Sequence, residues 1–172
     1  MNKFNIRVVA TAAMLALTMS SAFAHGNDEH KKAHNAEVKK EQQPWGIAGD
    51  SREVKRTIRI AMTDDMRFTP STIQVQEGET VRFIVQNKGK VMHEMVIGTK
   101  SALDEHAALM QKFPNMEHDE AHMAHVATGK QGELVWKFNR AGEFDFACLI
   151  PGHYQAGMVG KINVAAAKEA SK

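Results

Sequence analysis

The chain has one cysteine, Cys148, in 172 residues. No intramolecular disulfide can form. A fold of this size must therefore be held by its apolar core and its hydrogen bonds. Long apolar runs are missing as well. The longest, Val8 to Leu17, falls short of the roughly 20 residues needed to cross a bilayer. It follows Lys3 and Arg7 and precedes Ala22-Phe23-Ala24, a small-x-small cleavage pattern, so residues 1–24 are expected to be a cleaved export signal and no membrane anchor is expected. There is no cysteine near the cleavage point to carry a lipid, and no twin arginine. Charge of one sign is also lacking. Without Lys3 and Arg7, the 22 basic residues fall to 20, against 20 acidic ones. Such a balance offers no basic face for nucleic acid.

The export signal implies a periplasmic chain in an oxidising compartment. An unpaired thiol there is a liability unless burial, intermolecular pairing or metal ligation protects it. Cys148 is followed by His153 and Met158, each five residues further on. Thiolate and thioether are soft ligands and imidazole is intermediate, so this set favours copper over magnesium, calcium or manganese. A blue-copper site takes one Cys, two His and a weak axial Met. The segment 148–158 offers three of these four, and a second histidine must come from elsewhere.

Residues 25–52 are rich in Lys, Glu, Gln and Asn and poor in large apolar side chains, which predicts a flexible charged arm. The arm carries His25, His30 and His34. Cleavage would leave His25 with a free amine, and so with the means to chelate metal. From Val54 the pattern turns to period 2. Strands are expected at Ile58–Met62, Ile73–Gln76, Thr80–Gln86, Met92–Ile97, Glu133–Phe138, Glu143–Ala147 and Met158–Val164, with turns at Glu77-Gly78-Glu79, Asn87–Lys90 and Ala141-Gly142. Ser101 to Phe113 breaks the pattern. Leu103, Ala107 and Met110 have helical spacing, Ser101 is a candidate N-cap and Pro114 a stop. Met116 to His125 reads as a further helical turn or an irregular loop. No internal repeat is present. Seven or eight short strands with one helical insertion describe an all-β sandwich over residues 53–165, with a polar tail at 166–172.

His93 is the candidate for the missing ligand. It lies on a strand that follows a turn, 55 residues before Cys148, and a sandwich can bring the ends of distant strands together. Asn87-Lys-Gly-Lys-Val-Met-His93, Gly142-Glu-Phe-Asp-Phe-Ala-Cys148, Pro151-Gly-His153 and Gly157-Met158-Val-Gly160 resemble the corresponding segments of cupredoxins. The Cys-x4-His-x4-Met spacing is similar to that of rusticyanin and the phytocyanins. Met-His-Glu-Met-Val-Ile-Gly around His93, the His-containing arm and the Met/His-rich insertion further resemble CopI-type periplasmic copper-tolerance cupredoxins. The resemblance implies a Greek-key β-sandwich with one type 1 copper held by His93, Cys148, His153 and Met158. Cys148 would bind as thiolate, the histidines as neutral imidazoles, and Met158 as a long axial contact. Many cupredoxins carry Asn or Ser directly after the first histidine, tying the ligand loops together. Glu94 stands there in this chain.

The insertion holds Met116, His118, His122, Met123 and His125. The histidine spacings would share a face on a helix, so these residues are candidates for a second, labile copper site or a docking surface for a copper donor. His-x-His pairs, the usual mark of additional catalytic copper centres, are absent. No substrate or oxyanion signature accompanies Cys148 and His153. The expectation is a monomeric, non-enzymatic copper protein of copper tolerance that cycles or relays copper with a periplasmic redox or copper-donor partner. The alternative is a dedicated periplasmic electron carrier.

Overall fold

The computed structural model describes residues 40–114, 116 and 119–167. The expected export signal and His25, His30 and His34 lie outside the described residues, as does His118.

Two five-stranded sheets pack face to face. In chain order the strands are β1 (Ile47–Ala48), β2 (Arg56–Thr63), β3 (Arg67–Thr69), β4 (Thr72–Gln76), β5 (Glu79–Asn87), β6 (His93–Gly98), β7 (Met123–Val126), β8 (Gln131–Phe138), β9 (Gly142–Ala147) and β10 (Val159–Ala165). One sheet runs β1-β8-β5-β2-β3 and the other β4-β10-β9-β6-β7. The chain crosses between sheets at β3–β4, β4–β5, β5–β6, β7–β8 and β8–β9. As a result β2 and β5 lie parallel as neighbours, as do β4 and β10, while the other pairs are antiparallel. Alternation explains the packing. Val81, Phe83 and Val85 of β5 and Leu134, Trp136 and Phe138 of β8 face Phe146, Ile162 and Val75 in one core. Each of the largest of these side chains contributes roughly 1.5–3 kcal/mol by leaving water.

β6 departs from alternation, for all six of its residues are buried. Met95 and Ile97 enter the sandwich core, and Val96 on the other face joins Leu103 and Ala107 of the helix α1 (Lys100–Lys112). The helix thus covers the strand that begins with His93. Its buried positions, Leu103, Ala107 and Met110, are those the spacing predicts. Its N-cap is Thr99, whose hydroxyl accepts from the Ala102 N–H at 3.2 Å, and not Ser101. Ser101 instead sits in the first turn and bonds Glu105.

Three strands, β1, β3 and β7, come in addition to the seven expected. The reading of Met116 to His125 as a helical turn or an irregular loop is corrected only at its end: residues 116 and 119–122 are irregular, and β7 begins at Met123. Residues 123–126 pair with β6, setting His125 opposite Glu94 and Val126 opposite His93. Ladder hydrogen bonds and burial of Ala124 and Val126 outweigh the helical His spacing. The arm also ends earlier than residue 52. Trp45 is buried, Ile47 and Ala48 pair with β8, and the Trp136 indole donates to the Trp45 carbonyl at 3.0 Å. One tryptophan buries enough area to anchor a polar stretch. Gly46, at φ +132°, is where the chain can pass, because a Cβ there would overlap the Lys137 carbonyl and the Trp136 ring.

Candidate metal centre

β9 ends at Ala147 and delivers Cys148 into the core. The segment after it folds back on itself. The His153 N–H donates to the Ile150 carbonyl at 3.0 Å, Met158 N–H to the His153 carbonyl at 3.1 Å, and Cys148 N–H to the Met158 carbonyl at 3.1 Å. Gly152 and Gly157 take positive φ (+93° and +87°), which glycine adopts without the Cβ penalty. Arg67 on β3 donates to the Ala156 carbonyl at 3.1 Å and so grips the far end of the loop. Pro151 and Gly152 turn the chain so that His153 Nδ1 comes to 3.2 Å from Cys148 Sγ.

His93 opens β6 and is fully buried. Its Nε2 lies 3.1 Å from Asp64 Oδ1. A carboxylate only accepts, so Nε2 carries the ring proton and Nδ1 holds the bare lone pair. Nδ1 is buried and has no hydrogen-bond partner among the described residues. A buried polar atom left this way is costly unless something else satisfies it. One ligand atom each from His93, Cys148 and His153 lie within 4.8 Å of one another. The rings of His93 and His153 stand 5.0 Å apart, tilted by 53°. Met158 is fully buried, and its backbone is bonded to both Cys148 and His153.

Electrostatics agree with a soft cation. Burial pushes the Cys148 thiol up to about 12, helped by the nearby Glu94 carboxylate, against hydrogen bonds that pull the other way. Burial, and then the neighbouring His93, hold His153 below its ordinary value. Without metal the pocket favours a thiol and neutral imidazole. A bound cation replaces the thiol proton and leaves the imidazole neutral, as ligation requires. An orphaned imidazole nitrogen, a buried thiol and a second imidazole nitrogen make a donor set that fits copper.

Two carboxylates frame this set. Asp64, in the turn between β2 and β3, accepts from the Lys90 N–H at 2.7 Å as well as from His93. The Lys90 bond is the chief reason its carboxyl lies below the ordinary carboxylate range, and the His93 bond adds to it. The turn Asn87–Lys90 has a glycine where it must: a Cβ at Gly89 would overlap the Asp64 carboxylate and crowd His93 Nε2. Asp64 has no signal in local spacing, since it stands 29 residues from His93. Glu94 is buried. Its backbone N–H points at Cys148 Sγ (3.4 Å), and its Oε1 accepts from the Leu149 N–H at 2.8 Å. The side chain after the first histidine therefore still ties the two ligand segments, although it is Glu.

The residues of the Met/His insertion engage separate surroundings. Met116 is exposed. His122 stands edge-on to Trp45 and Trp136, with ring centroids 5.3 and 5.9 Å away. Met123 is buried in the cluster that includes Leu103 and Ala107. His125 Nε2 lies 2.8 Å from Glu94 Oε2.

A model of the copper-binding plastocyanin/azurin family matches residues 54–165. Over 156 residues the chain is 46% identical to a copper-resistant cuproprotein CopI of Rubrivivax gelatinosus, spanning 90% of this chain and 94% of that one. It is 33% identical to a CopI protein of Vibrio cholerae, spanning 87% and 94%. Among solved structures, auracyanin B superposes with a TM-score of 0.60 over 73% of this chain and 99% of that one, at 19% identity, which shows the shared fold. The auracyanin of Roseiflexus castenholzii does so at 0.57, over 65% and 98%, at 20% identity. On the family match, the identity to CopI and the cupredoxin sandwich, the chain belongs to the copper-binding plastocyanin/azurin family, among its CopI cuproproteins.

Proposed function

We propose that this chain is an exported copper-binding protein of copper resistance, with His93, Cys148, His153 and Met158 as the ligands of one type 1 copper. The observation that carries the site is the buried, unpartnered Nδ1 of His93 beside Cys148 Sγ and His153 Nδ1. Bound copper supplies one-electron exchange between its cuprous and cupric forms. The chain's own residues do the rest. The buried thiol gives up its proton on loading, burial holds His153 toward its neutral form, and Asp64 fixes the tautomer of His93 by accepting from its Nε2. The hydrogen-bonded loop fixes the backbone of Cys148, His153 and Met158, and β6 fixes that of His93. Preorganisation of this kind suits reversible redox cycling rather than turnover of a substrate. Copper resistance rests on the 46% and 33% identical relatives, whose names state it. Export rests on the signal at residues 1–24, and no described helix is long and apolar enough to cross a membrane.

A second reading is a dedicated electron carrier. It is favoured by Val91 and Met92, both exposed immediately before His93, which present an apolar surface next to the centre. A deletion strain complemented with the wild-type gene or with Cys148→Ala decides between them. Copper resistance restored by the wild type alone supports the first reading. Full resistance from both genes refutes a resistance role for this centre. Unchanged copper sensitivity in the deletion strain, with impaired respiration instead, supports the carrier.

A further inference from the structure

β7 places the end of the Met/His insertion on the edge of the second sheet, against the strand that starts with His93. Ala124 and Val126 turn into the sandwich core, so His125 turns to the opposite side by alternation. Directly across the ladder stands Glu94, whose side chain is 3% exposed. A carboxylate buried to that degree is costly unless both oxygens are matched. Oε1 is matched by the Leu149 N–H at 2.8 Å, the first backbone N–H after Cys148. Oε2 is matched by His125 Nε2 at 2.8 Å. Three segments far apart in sequence therefore meet on one carboxylate: the strand carrying His93, the start of the 148–158 loop, and the insertion.

Resting on the copper-centre reading above, we infer that His125 is a positioning residue of that centre, which holds the Glu94 carboxylate in place and through it the first turn of the ligand loop. His125 is then a structural tie between the insertion and the metal loop rather than a ligand of a second copper. The pair distance carries the inference. With Nε2 engaged on Glu94, ligation through that nitrogen would break the contact that matches a buried carboxylate. Loss of the contact frees the carboxylate to reorient, and the Leu149 N–H loses its acceptor. The turn that sets the distance between Cys148 Sγ and His153 Nδ1 then loosens.

The test uses the full chain as wild type, His125→Ala and His125→Gln. Glutamine keeps an N–H that reaches Glu94 Oε2 and is a poor copper ligand. Amide exchange at Leu149 is measured on the metal-free protein, with the Phe83 amide of the β5 ladder as a monitor of global opening. Copper stoichiometry, the visible thiolate-to-copper band and the reduction potential are measured on the loaded protein. Expected for His125→Ala are Leu149 exchange about tenfold faster with Phe83 unchanged, a shifted band and potential, and unchanged stoichiometry, all returning toward wild type in His125→Gln. The inference is overturned if His125→Ala leaves Leu149 exchange, band and potential as in wild type. It is also overturned if both variants lose one equivalent of copper with the band unmoved, the signature of a ligand. If His125→Ala speeds Phe83 and Leu149 exchange equally while His125→Gln restores neither, general destabilisation replaces the inferred tie. A wild-type protein without the visible band refutes the copper-centre reading alone, because the exchange comparison on metal-free protein still decides the tie.

Discussion

Two stretches of this chain carry metal-ligand-type residues at close spacing, and the fold treats them in opposite ways. The segment 148–158 is wound on itself by five backbone hydrogen bonds, and it sets His153 Nδ1 3.2 Å from Cys148 Sγ. The end of the segment 116–125 runs along a sheet edge as β7. His122 goes to two tryptophans, Met123 to the cover under α1 and His125 to a carboxylate. Ligand-type residues at close spacing do not by themselves make a centre. What makes one is a backbone that turns the donors toward a common point and leaves their lone pairs unspent. His93 Nδ1 is such an unspent donor, whereas the Nε2 of His125 is engaged.

This contrast can be broken or sharpened by substitution. The largest effect belongs to Cys148→Ser. Cupric loading of the wild type is expected to give an intense visible band, and the serine variant is expected to lose it entirely, as read by absorption spectroscopy. Next is Asp64→Ala, which removes the acceptor that fixes the ring and tautomer of His93. Copper affinity should fall about 10–100-fold in a competition titration. Gly89→Ala should fall in the same direction, since its Cβ overlaps the same carboxylate. Third is Glu94→Ala. It strands the buried Leu149 N–H and should lower the unfolding free energy of the metal-free chain by about 1–3 kcal/mol in a denaturant titration.

Those three sites differ in how legible they were in the sequence, and the reason is physical. Cys148, His153 and Met158 stand five residues apart, within one loop, so residue type and spacing alone nominate them. The strands β5, β8 and β9 were legible because half-buried strands alternate, as in Val81, Phe83 and Val85. The helix over 100–112 was legible from Leu103, Ala107 and Met110. Asp64 was not, because its role exists only once the parallel pairing of β2 with β5 brings Met62 level with Asn87 and the two turns beyond them meet. β7 was missed because it is a four-residue edge strand with an exposed histidine in its middle, and its histidine spacing imitates a helix. Trp45 was hidden by the polar composition of its neighbours. One buried indole decides where the fold begins, and a compositional average dilutes it. Glu94 stood out as a departure from the related proteins, but its bonds to Leu149 and His125 follow from the ladder and not from its position beside His93.

A smaller effect is expected from acid. The Asp64 carboxyl is held below its ordinary value of 3.8, chiefly by the Lys90 N–H, so its contribution is fully present above about pH 4 and is lost as pH falls through the lowered folded value. The metal-free wild type should therefore lose stability on acidification below pH 4 more steeply than Asp64→Asn, as followed by thermal melting. The smallest effect is expected at Met116, which is exposed and outside the centre. Met116→Leu should leave the visible band and the affinity of the loaded centre unchanged. A shifted band would join the insertion to the centre in a way the geometry does not.

In the proposed centre four side chains converge on one metal, and X-ray absorption at the copper edge of the loaded full chain tests that most directly. The predicted result is a copper shell with one short sulfur contact and two nitrogen contacts in the wild type, the sulfur contact vanishing in Cys148→Ser. A shell of nitrogen and oxygen alone in the wild type, or a spectrum that Cys148→Ser leaves unchanged, would contradict it.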